Sequence, residues 1–301
     1  MLFAIRHNLL LLNPGFNKDG YAKYFDFTYK NTLCRVPEKI SRLPLVISQL
    51  LGKILFHIIR TMCKYPIVPR IFYSSDTYYY RSGLIPKKFM IYLSLGRYDD
   101  FFLNEENKKL MEFLSSSFCI FFGGWKFRTK GITGEPADIV RTMFKPRSNY
   151  AKNISDLLVR ARGGIDVLVG LHIRHEDYKT FMNGEFFYEL NSYTERMSQI
   201  LQLFEGKSVR FLICNNAGFS KDDFAGFNVI IGSGEQLEDM YTLAGCDYII
   251  GPPSTFTAWA SFWGRAPLQH IYPAKQLTLE AFKIFEMDDF VMLDSVLSRP
   301  N

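Results

Sequence analysis

From about residue 156 onward, short apolar runs alternate with amphipathic runs, and this alternation constrains the fold more than any other feature. The apolar runs are rich in β-branched residues, as buried strands are, and the runs between them repeat with helical spacing. Such alternation is typical of a parallel sheet with right-handed crossovers. The predicted strands are 165–173, 209–214, 229–231, 248–250 and 268–271, and the predicted helices are 191–203, 235–244 and 256–263.

Residues at the predicted helix ends support these bounds. Ser233 and Gln236 have the spacing of a capping box for the helix over 235–244. Gly245 and Gly264 follow two of the helices, where a left-handed residue commonly ends a helix. We therefore expect a capping box at Ser233 and left-handed glycines at 245 and 264.

The chain before residue 156 is less regular. Helical spacing predicts a helix over Leu45–Arg60, packed on a core or, alternatively, lying on a membrane surface. A second helix is predicted over Asn104–Ser115 and a buried strand over Phe118–Phe122. The segments 73–80 and 125–136 are predicted to be loops. We place a domain boundary between residues 155 and 156.

Composition excludes several classes of protein. Hydrophobic residues make up 48% of the 301 residues and charged residues 22%, which indicates a globular chain. A formal charge of +6, with the basic residues spread along the chain, does not predict nucleic-acid binding. The five cysteines form no Cys-x-x-Cys pair and no zinc spacing with the histidines, so we expect no metal site.

The expected location is the cytoplasm. Scattered cysteines indicate a reducing compartment without structural disulfides. The first apolar stretch, 1–14, is too short and is interrupted too early by Arg6 and His7 to be a signal peptide or a spanning helix. The pattern of this stretch predicts the end of a helix, followed by a strand over 9–12. Peripheral association with a membrane stays open as an alternative.

The strand over 165–173 ends at residues that can bind an anion. Arg174 lies at its carboxyl end, where a guanidinium can make paired hydrogen bonds to phosphate oxygens. The alternative is a surface ion pair between Arg174 and Glu176 or Asp177. His172 lies on the same side of the strand as Arg174, because side chains alternate along a strand. Its role is left open between an orienting or core residue and a base. His175 would add charge to the site only if it were protonated.

A second set of polar residues follows the strand over 248–250. Ser254 and Thr255 precede an apolar helical run, so one of them is expected to cap the helix. They either cap the helix alone or, with the free N–H groups of its first turn, also bind phosphate. Glu238 and Asp239 fall on the polar face of the preceding helix, where solvent exposure is the ordinary expectation. Ligands of open parallel sheets bind beyond the carboxyl ends of the strands, so we expect a nucleotide-sugar site there.

Together these segments resemble the fucosyltransferase superfamily, and most closely the bacterial α-1,2-fucosyltransferases. The His-x-Arg-x-x-Asp pattern of residues 172–177, with Tyr178 after it, matches the first motif of that branch, and 183–188 resembles its glycine-plus-aromatic stretch. The step at 254–256 matches its second motif. This resemblance covers 165–265 and implies an α/β fold of two Rossmann-like domains, described as GT-B-like. It also implies transfer of fucose from GDP-fucose to a glycan hydroxyl, with inversion and without a metal or other cofactor.

The resemblance assigns a role to each matched residue. It implies that Arg174 stabilises the departing GDP, that His172 orients the loop, and that Asp239 binds guanine. The base that deprotonates the acceptor is left open between Asp177 and Glu185. The implied catalytic residues are Arg174, His172 and Asp177, and the implied donor-binding residues are Arg174, Asp239, Ser254, Thr255 and Phe256.

The sequence departs from the superfamily at two places. His175-Glu176 stands where the α-1,2 branch usually has Arg-Gly. In addition, the opening strand and glycine-rich loop of the family have no counterpart, so 1–155 is expected to be an incomplete acceptor-side domain before the nucleotide-sugar-binding domain 156–301. Two other functions stay open: a non-catalytic nucleotide-sugar-binding or scaffold protein, and a transferase that uses another GDP-sugar.

Overall fold

The computed structural model of the protein divides into two compact units, residues 1–145 and 146–301. The structure describes 134–273 and 275–290 continuously, together with 293, 297 and parts of 54–128. The predicted strand over 9–12 and the incomplete opening of the first domain fall outside the described residues. Of the predicted helix Leu45–Arg60, only 54, 57 and 58 are described. They are helical, but Ile54 and Ile58 are 48% and 49% exposed, so the predicted buried face is wrong at these two positions.

The first unit contains a mixed sheet with strand order β2-β1-β3-β5, in which only β1 and β2 are antiparallel. A separate pair, β4 and β6, is parallel. The predicted strand over Phe118–Phe122 is confirmed within one residue, and the predicted helix over Asn104–Ser115 is confirmed in its second half. The elements are β1 (Arg70–Ser74), β2 (Thr77–Arg81), β3 (Met90–Leu95), β4 (Phe101–Phe102), α1 (Lys108–Ser115), β5 (Cys119–Gly123), β6 (Phe127–Arg128) and α2 (Glu135–Met143).

Two loop predictions in this unit are wrong. The segment 73–80 lies largely in the antiparallel strands β1 and β2, in which Ser74 pairs with Thr77. Its tyrosines, which suggested a surface loop, are also strong strand formers. The segment 125–136 contains β6 and the start of α2, which has a proline in its first turn as helices tolerate.

The second unit alternates strands with helices as predicted, and every predicted strand and helix is confirmed to within about two residues. One long helix, α3, was missed, although Ile154, Leu157 and Ala161 give it a helical stripe of buried residues. The elements are α3 (Ser148–Arg162), β7 (Val167–Ile173), α4 (Leu190–Leu203), β8 (Val209–Asn215), β9 (Val229–Ile231), α5 (Gln236–Ala244), β10 (Tyr248–Gly251), α6 (Thr255–Gly264) and β11 (Leu268–His270).

The five strands of this unit form one parallel sheet with the order β11-β10-β7-β8-β9. The chain runs outward from β7 through β8 to β9, then returns to the other side of β7 for β10 and β11. Numbered along the chain, the strand order is 3-2-1-4-5, which matches five of the six strands of a doubly wound Rossmann sheet, and the switch point lies between β7 and β10. The structure therefore confirms the predicted α/β class and the Rossmann-like second domain.

Helices cover both faces of this sheet. On one face, alternate residues of β7 and β8 such as Leu171 and Phe211 pack with Met197 and Ile200 of α4. On the other face, the intervening strand residues pack with α3, α5 and α6. The predicted boundary at 155/156 falls inside α3, whose apolar stripe belongs to the core of the second unit. Among the described residues, no helix is both long and apolar enough to cross a bilayer.

Two glycines allow close packing, Gly245 at the end of α5 against α3 and Gly264 of α6 against the end of α5, although neither is left-handed. Gly245 has φ −90°, and a Cβ there would lie 2.4 Å from Cδ1 of Leu158. At Gly264 a Cβ would lie 1.9 Å from the carbonyl oxygen of Ala244. The left-handed residue at the end of α6 is Arg265, with φ 55°. The predicted left-handed role of both glycines is therefore wrong, because Gly245 leaves space for the Leu158 side chain and Gly264 for the Ala244 backbone.

Candidate functional site

The two sequence segments meet at the switch point of the second sheet. Arg174 directly follows β7, and Ser254 lies between β10 and α6. Nη1 of Arg174 is 3.5 Å from the hydroxyl oxygen of Ser254, although the residues are eighty positions apart in sequence. The carboxyl ends of adjacent parallel strands therefore bring together a guanidinium and a helix N-terminus, both of which bind anions.

Arg174 also forms the ion pair that the sequence left open as an alternative. Its Nε and Nη2 donate to the two carboxylate oxygens of Asp177, at 2.9 and 2.6 Å. Hydrogen bonds from Arg174 hold the pKa of Asp177 below its ordinary value. A guanidinium has five N–H groups, and this pair uses two of them. The edge formed by Nη1 and Nη2 retains donors for a second anion, so the ion pair and phosphate binding are compatible.

Tyr178 holds the loop after β7 against the start of α6. Its hydroxyl donates to the carbonyl oxygen of Pro253 at 2.7 Å. The guanidinium carbon of Arg174 lies 4.6 Å from the centre of the Tyr178 ring, which is within the range of a cation–π contact. Asp177 and Tyr178 therefore fix the position of Arg174 from two sides, which lowers the entropy cost of using it to bind a ligand.

Ser254 is the N-cap of α6, as expected for one of the two hydroxyl residues. Its side chain accepts a hydrogen bond from the N–H of Phe256 at 3.1 Å. Thr257 donates to the carbonyl oxygen of Ser254, and Nε2 of His270 lies 3.3 Å from the Thr257 hydroxyl. Thr255 is the first helical residue and is exposed. The structure thus presents a rigid helix start, whose first turn also carries the positive end of the helix dipole.

His172 is enclosed beneath the helix start. It is 7% exposed and stacks on Phe256, with ring centroids 4.7 Å apart. Burial, followed by the charge of Arg174, lowers the pKa of His172 to about 3. Its Nδ1 is buried without a hydrogen-bond partner. A neutral, enclosed imidazole is suited to orienting the site and unsuited to taking a proton from an acceptor.

His175 is buried and connects three segments. Its ring Nε2 lies 2.8 Å from the carbonyl oxygen of Tyr188, so this nitrogen carries the proton and donates. Its backbone N–H donates to the side-chain oxygen of Asn216. The ring packs against Phe187 and Phe219. His175 therefore acts as a structural tie at the position where the α-1,2 branch usually has arginine.

Asp239 is not on a solvated helix face. It is 6% exposed, and its Oδ1 accepts hydrogen bonds from the N–H groups of Ser233 and Gly234 and from the Ser233 hydroxyl. Burial raises its pKa from the ordinary value despite these bonds. Glu238 is also buried, with Asn153 donating to it at 2.6 Å. The exposed-face expectation is therefore wrong for both carboxylates, because α5 is covered by α3 and by the loop after β9.

The predicted capping box at Ser233 and Gln236 is also wrong. The N-cap of α5 is Glu235, and no side chain caps it. Ser233 instead accepts from the N–H of Glu235 and donates to Asp239. A Cβ at Gly232 would lie 2.5 Å from Oδ1 of Asp239, so only glycine leaves the carboxylate in place. These contacts position Asp239 at the end of β9 with Oδ2 free of hydrogen bonds to the described residues.

Glu185 is exposed and lies in the loop that follows the first motif. It comes directly after three residues with positive φ, Met182, Asn183 and Gly184. No hydrogen bond or ion pair joins it to Arg174 or Ser254 in the described part of the chain. The loop is nevertheless fixed to the site, because Phe181 stacks on Tyr178 and the Tyr188 hydroxyl donates to Ile271.

Sequence reasoning missed two polar residues at this edge, Asn216 and His270. Both lie at the carboxyl ends of their strands, β8 and β11, so the rule that identified Arg174 could also have found them. Among the described residues, no group of three or more His, Cys, Asp or Glu side chains is placed to hold a metal ion.

Comparison with known proteins gives partial structural matches only. No protein-family model and no curated protein sequence matches the chain. A variant of Arabidopsis thaliana FUT1 in complex with GDP is 15% identical with a TM-score of 0.44, covering 64% of this chain and 52% of that chain. The α-1,6-fucosyltransferase NodZ soaked with GDP-fucose is 21% identical with a TM-score of 0.38, covering 52% and 56%. The fucosyltransferase NodZ from Bradyrhizobium is 22% identical with a TM-score of 0.34, covering 46% and 50%. The matches span about half the length of these chains.

Proposed function

We propose that this protein is a glycosyltransferase that transfers fucose from GDP-fucose to a glycan hydroxyl. The observation that carries the proposal is the approach of Arg174 to Ser254, at 3.5 Å, across the switch point of a Rossmann sheet. Ligands of such sheets bind at this point, and a guanidinium beside a helix N-terminus suits a pyrophosphate. The motifs at 172–178 and 254–256 resemble those of fucosyltransferases, and we propose GDP as the nucleotide and fucose as the sugar because of that resemblance.

Arg174 would bind the β-phosphate through its Nη1 and Nη2 edge. As the sugar leaves, negative charge develops on the GDP, and donors that are already in place stabilise that charge most effectively. Asp177 and Tyr178 supply this preorganisation by holding the guanidinium on its other edge and on its face. Ser254 and the first turn of α6, including Thr255, would bind the same phosphates.

Asp239 would select guanine. Guanine presents a ring N–H and an amino group side by side, and a carboxylate can accept from both. Oδ1 of Asp239 is held by the loop of Ser233 and Gly234, which fixes the carboxylate so that Oδ2 is available to a base. Phe256 would enclose the donor from the helix start, above the neutral His172.

The reaction we propose inverts the anomeric centre and needs no metal, since Arg174 and the dipole of α6 supply the positive charge. A base must then take the proton of the acceptor hydroxyl. Asp177 is poorly suited because its pairing with Arg174 lowers its pKa. Glu185, which is exposed on the loop between Tyr178 and Tyr188, remains the candidate base.

The proposed reaction can be tested with the full chain, GDP-fucose, a panel of glycan acceptors and excess EDTA. We expect GDP release and a fucosylated product, with GDP-mannose turned over far more slowly. Glu185→Gln should lose transfer but keep GDP binding, whereas Glu189→Gln, the matched control on the same loop, should keep both. GDP binding with neither donor hydrolysis nor transfer would favour the non-catalytic binding protein, and faster turnover of GDP-mannose would replace fucose as the donor sugar.

A further inference from the structure

At the carboxyl edge of the second sheet, the side chain of Asn216 lies between the residues proposed to bind the phosphates and the residue proposed to bind the base. Arg174 and Ser254 lie at the ends of β7 and β10, and Asp239 lies beside the end of β9. Between β7 and β9 runs β8, and the residue directly after β8 is Asn216. Adjacent strands are about 4.8 Å apart, so Asn216 occupies the middle of a span of about 10 Å.

The side of the sheet on which Asn216 lies follows from the strand pairing. Cys214 pairs with His172, and its thiol lies 3.6 Å from the carbonyl oxygen of Asp239, so this side of β8 faces Asp239. The N–H of Asn216 donates to the carbonyl oxygen of Ile173, which continues the ladder one residue beyond β8. Alternation along the strand then places Asn216 on the same side as Cys214 and Asp239.

The orientation of the Asn216 carboxamide is fixed by a backbone hydrogen bond. Its Oδ1 accepts from the N–H of His175 at 2.8 Å. Because a backbone N–H can only donate, the atom that it contacts is the oxygen, and Nδ2 lies on the other branch. Asn216 is exposed, and Nδ2 has no hydrogen bond to any described residue. The side chain therefore presents two N–H donors at a defined position.

We infer that Asn216 binds the ribose of the nucleotide, an inference that rests on the proposed function and makes it more specific. In a nucleoside diphosphate the sugar lies between the phosphates and the base. With phosphates at Arg174 and Ser254 and the base at Asp239, the ribose lies over the end of β8. Its hydroxyl oxygens accept hydrogen bonds, and Nδ2 of Asn216 is a neutral donor that meets them without adding charge beside the pyrophosphate.

Binding of GDP and 2′,3′-dideoxy-GDP to the full chain, measured by calorimetry, tests the inference. One neutral hydrogen bond changes affinity by about two- to tenfold, so the native protein should bind the dideoxy nucleotide weaker by that factor. In Asn216→Ala the two nucleotides should bind within about twofold of each other, because the discriminating donor is gone. Asn228→Ala is the matched control, since Asn228 is an exposed asparagine whose Oδ1 also accepts a hydrogen bond, from Arg210. It should keep the native preference.

Asn216→Asp is a second variant, in case Asn216→Ala fails to fold. It keeps an oxygen that accepts from the His175 N–H. It should bind GDP more weakly, since it lacks the donor and brings a negative charge toward the phosphates. Native-like GDP binding by this variant, or an unchanged preference in Asn216→Ala, would overturn the ribose assignment while leaving the proposed function intact. If the native protein bound no GDP, the ribose assignment and the proposed function would both be wrong. GDP binding by the native protein therefore separates failure of the ribose assignment alone from failure of the proposed function.

Discussion

The two edges of the second sheet use polar residues in opposite ways. At the amino edge the polar groups bind one another: Asp166 accepts from the N–H and hydroxyl of Ser208, and Arg162 makes a two-point contact with Asp247. Arg210 donates to Asn228 and to carbonyl oxygens at the end of α3. At the carboxyl edge, His172, Asn216 and Asp239 each retain an atom without a hydrogen bond to the described residues. The amino edge therefore uses its polar groups for stability, whereas the carboxyl edge keeps hydrogen-bonding atoms for the ligand that we propose.

The largest expected effect is the loss of turnover in Arg174→Lys. A lysine cannot reproduce the planar fork, so we expect about 2–4 kcal/mol less transition-state stabilisation, or roughly thirty- to a thousandfold in rate. The ion pair between Arg174 and Asp177 is partly exposed, so the substitution should change the free energy of unfolding only slightly. Steady-state kinetics and urea unfolding would measure both effects.

The matched control for this substitution is Arg162→Lys at the amino edge, which should leave turnover unchanged. Near-native turnover in Arg174→Lys would return Arg174 to the role of a surface ion-pair partner. Equal losses of turnover in the two variants would show that the contrast between the edges is wrong.

The second prediction uses the histidines, since all three histidines of the second unit lie at the carboxyl edge. Burial lowers the pKa of His172 to about 3 and that of His270 to about 4. The unfolded chain takes up these protons below about pH 6.5 while the folded chain does not, so stability falls as pH falls through 6.5. His172 and His270 should each lower the free energy of unfolding by about 2 kcal/mol between pH 7 and pH 5.

Urea unfolding at pH 7 and pH 5 would measure this loss, and His270→Gln should remove roughly half of the histidine contribution. If the pH dependence were the same in the variant, the neutral state of His270 in the folded protein would be wrong.

The third and smallest prediction concerns the amino edge. Asp247 accepts from the N–H of Leu168 as well as from Arg162, so Asp247→Ala leaves a strand N–H without its partner. We expect a loss of about 1–2 kcal/mol in the free energy of unfolding, with the dissociation constant for GDP unchanged. Asp156→Ala, which breaks only an exposed pair with Lys152, should change neither quantity. A marked loss of GDP affinity in Asp247→Ala would contradict the division of roles between the edges.

Periodicity predicted the strands and helices of the second unit because burial on one face leaves a repeat in the sequence. A cap at Ser254 or Thr255 was predicted from the residues next to the helix start, and the structure has it at Ser254. The contacts that decide the site are not local: the switch point that joins Arg174 to Ser254, and the loop that encloses Asp239, depend on strand order. Asp239 therefore looked solvent-exposed on its own helix. Likewise, no local pattern predicts the hydrogen bond from His175 to the carbonyl oxygen of Tyr188.

Nucleotide binding by the full chain tests the central claim, that the carboxyl edge binds a guanine nucleoside diphosphate, most directly. Thermal unfolding would be followed with GDP, GMP, UDP and ADP in EDTA, for the native chain and for Asp239→Asn. We predict a clear rise in the melting temperature with GDP, corresponding to about 2.7 kcal/mol at a hundredfold excess over the dissociation constant. GMP, UDP and ADP should give much smaller rises, and Asp239→Asn should lose the preference for guanine. Equal shifts with GDP and UDP in the native chain, or no shift with any nucleotide, would contradict the claim.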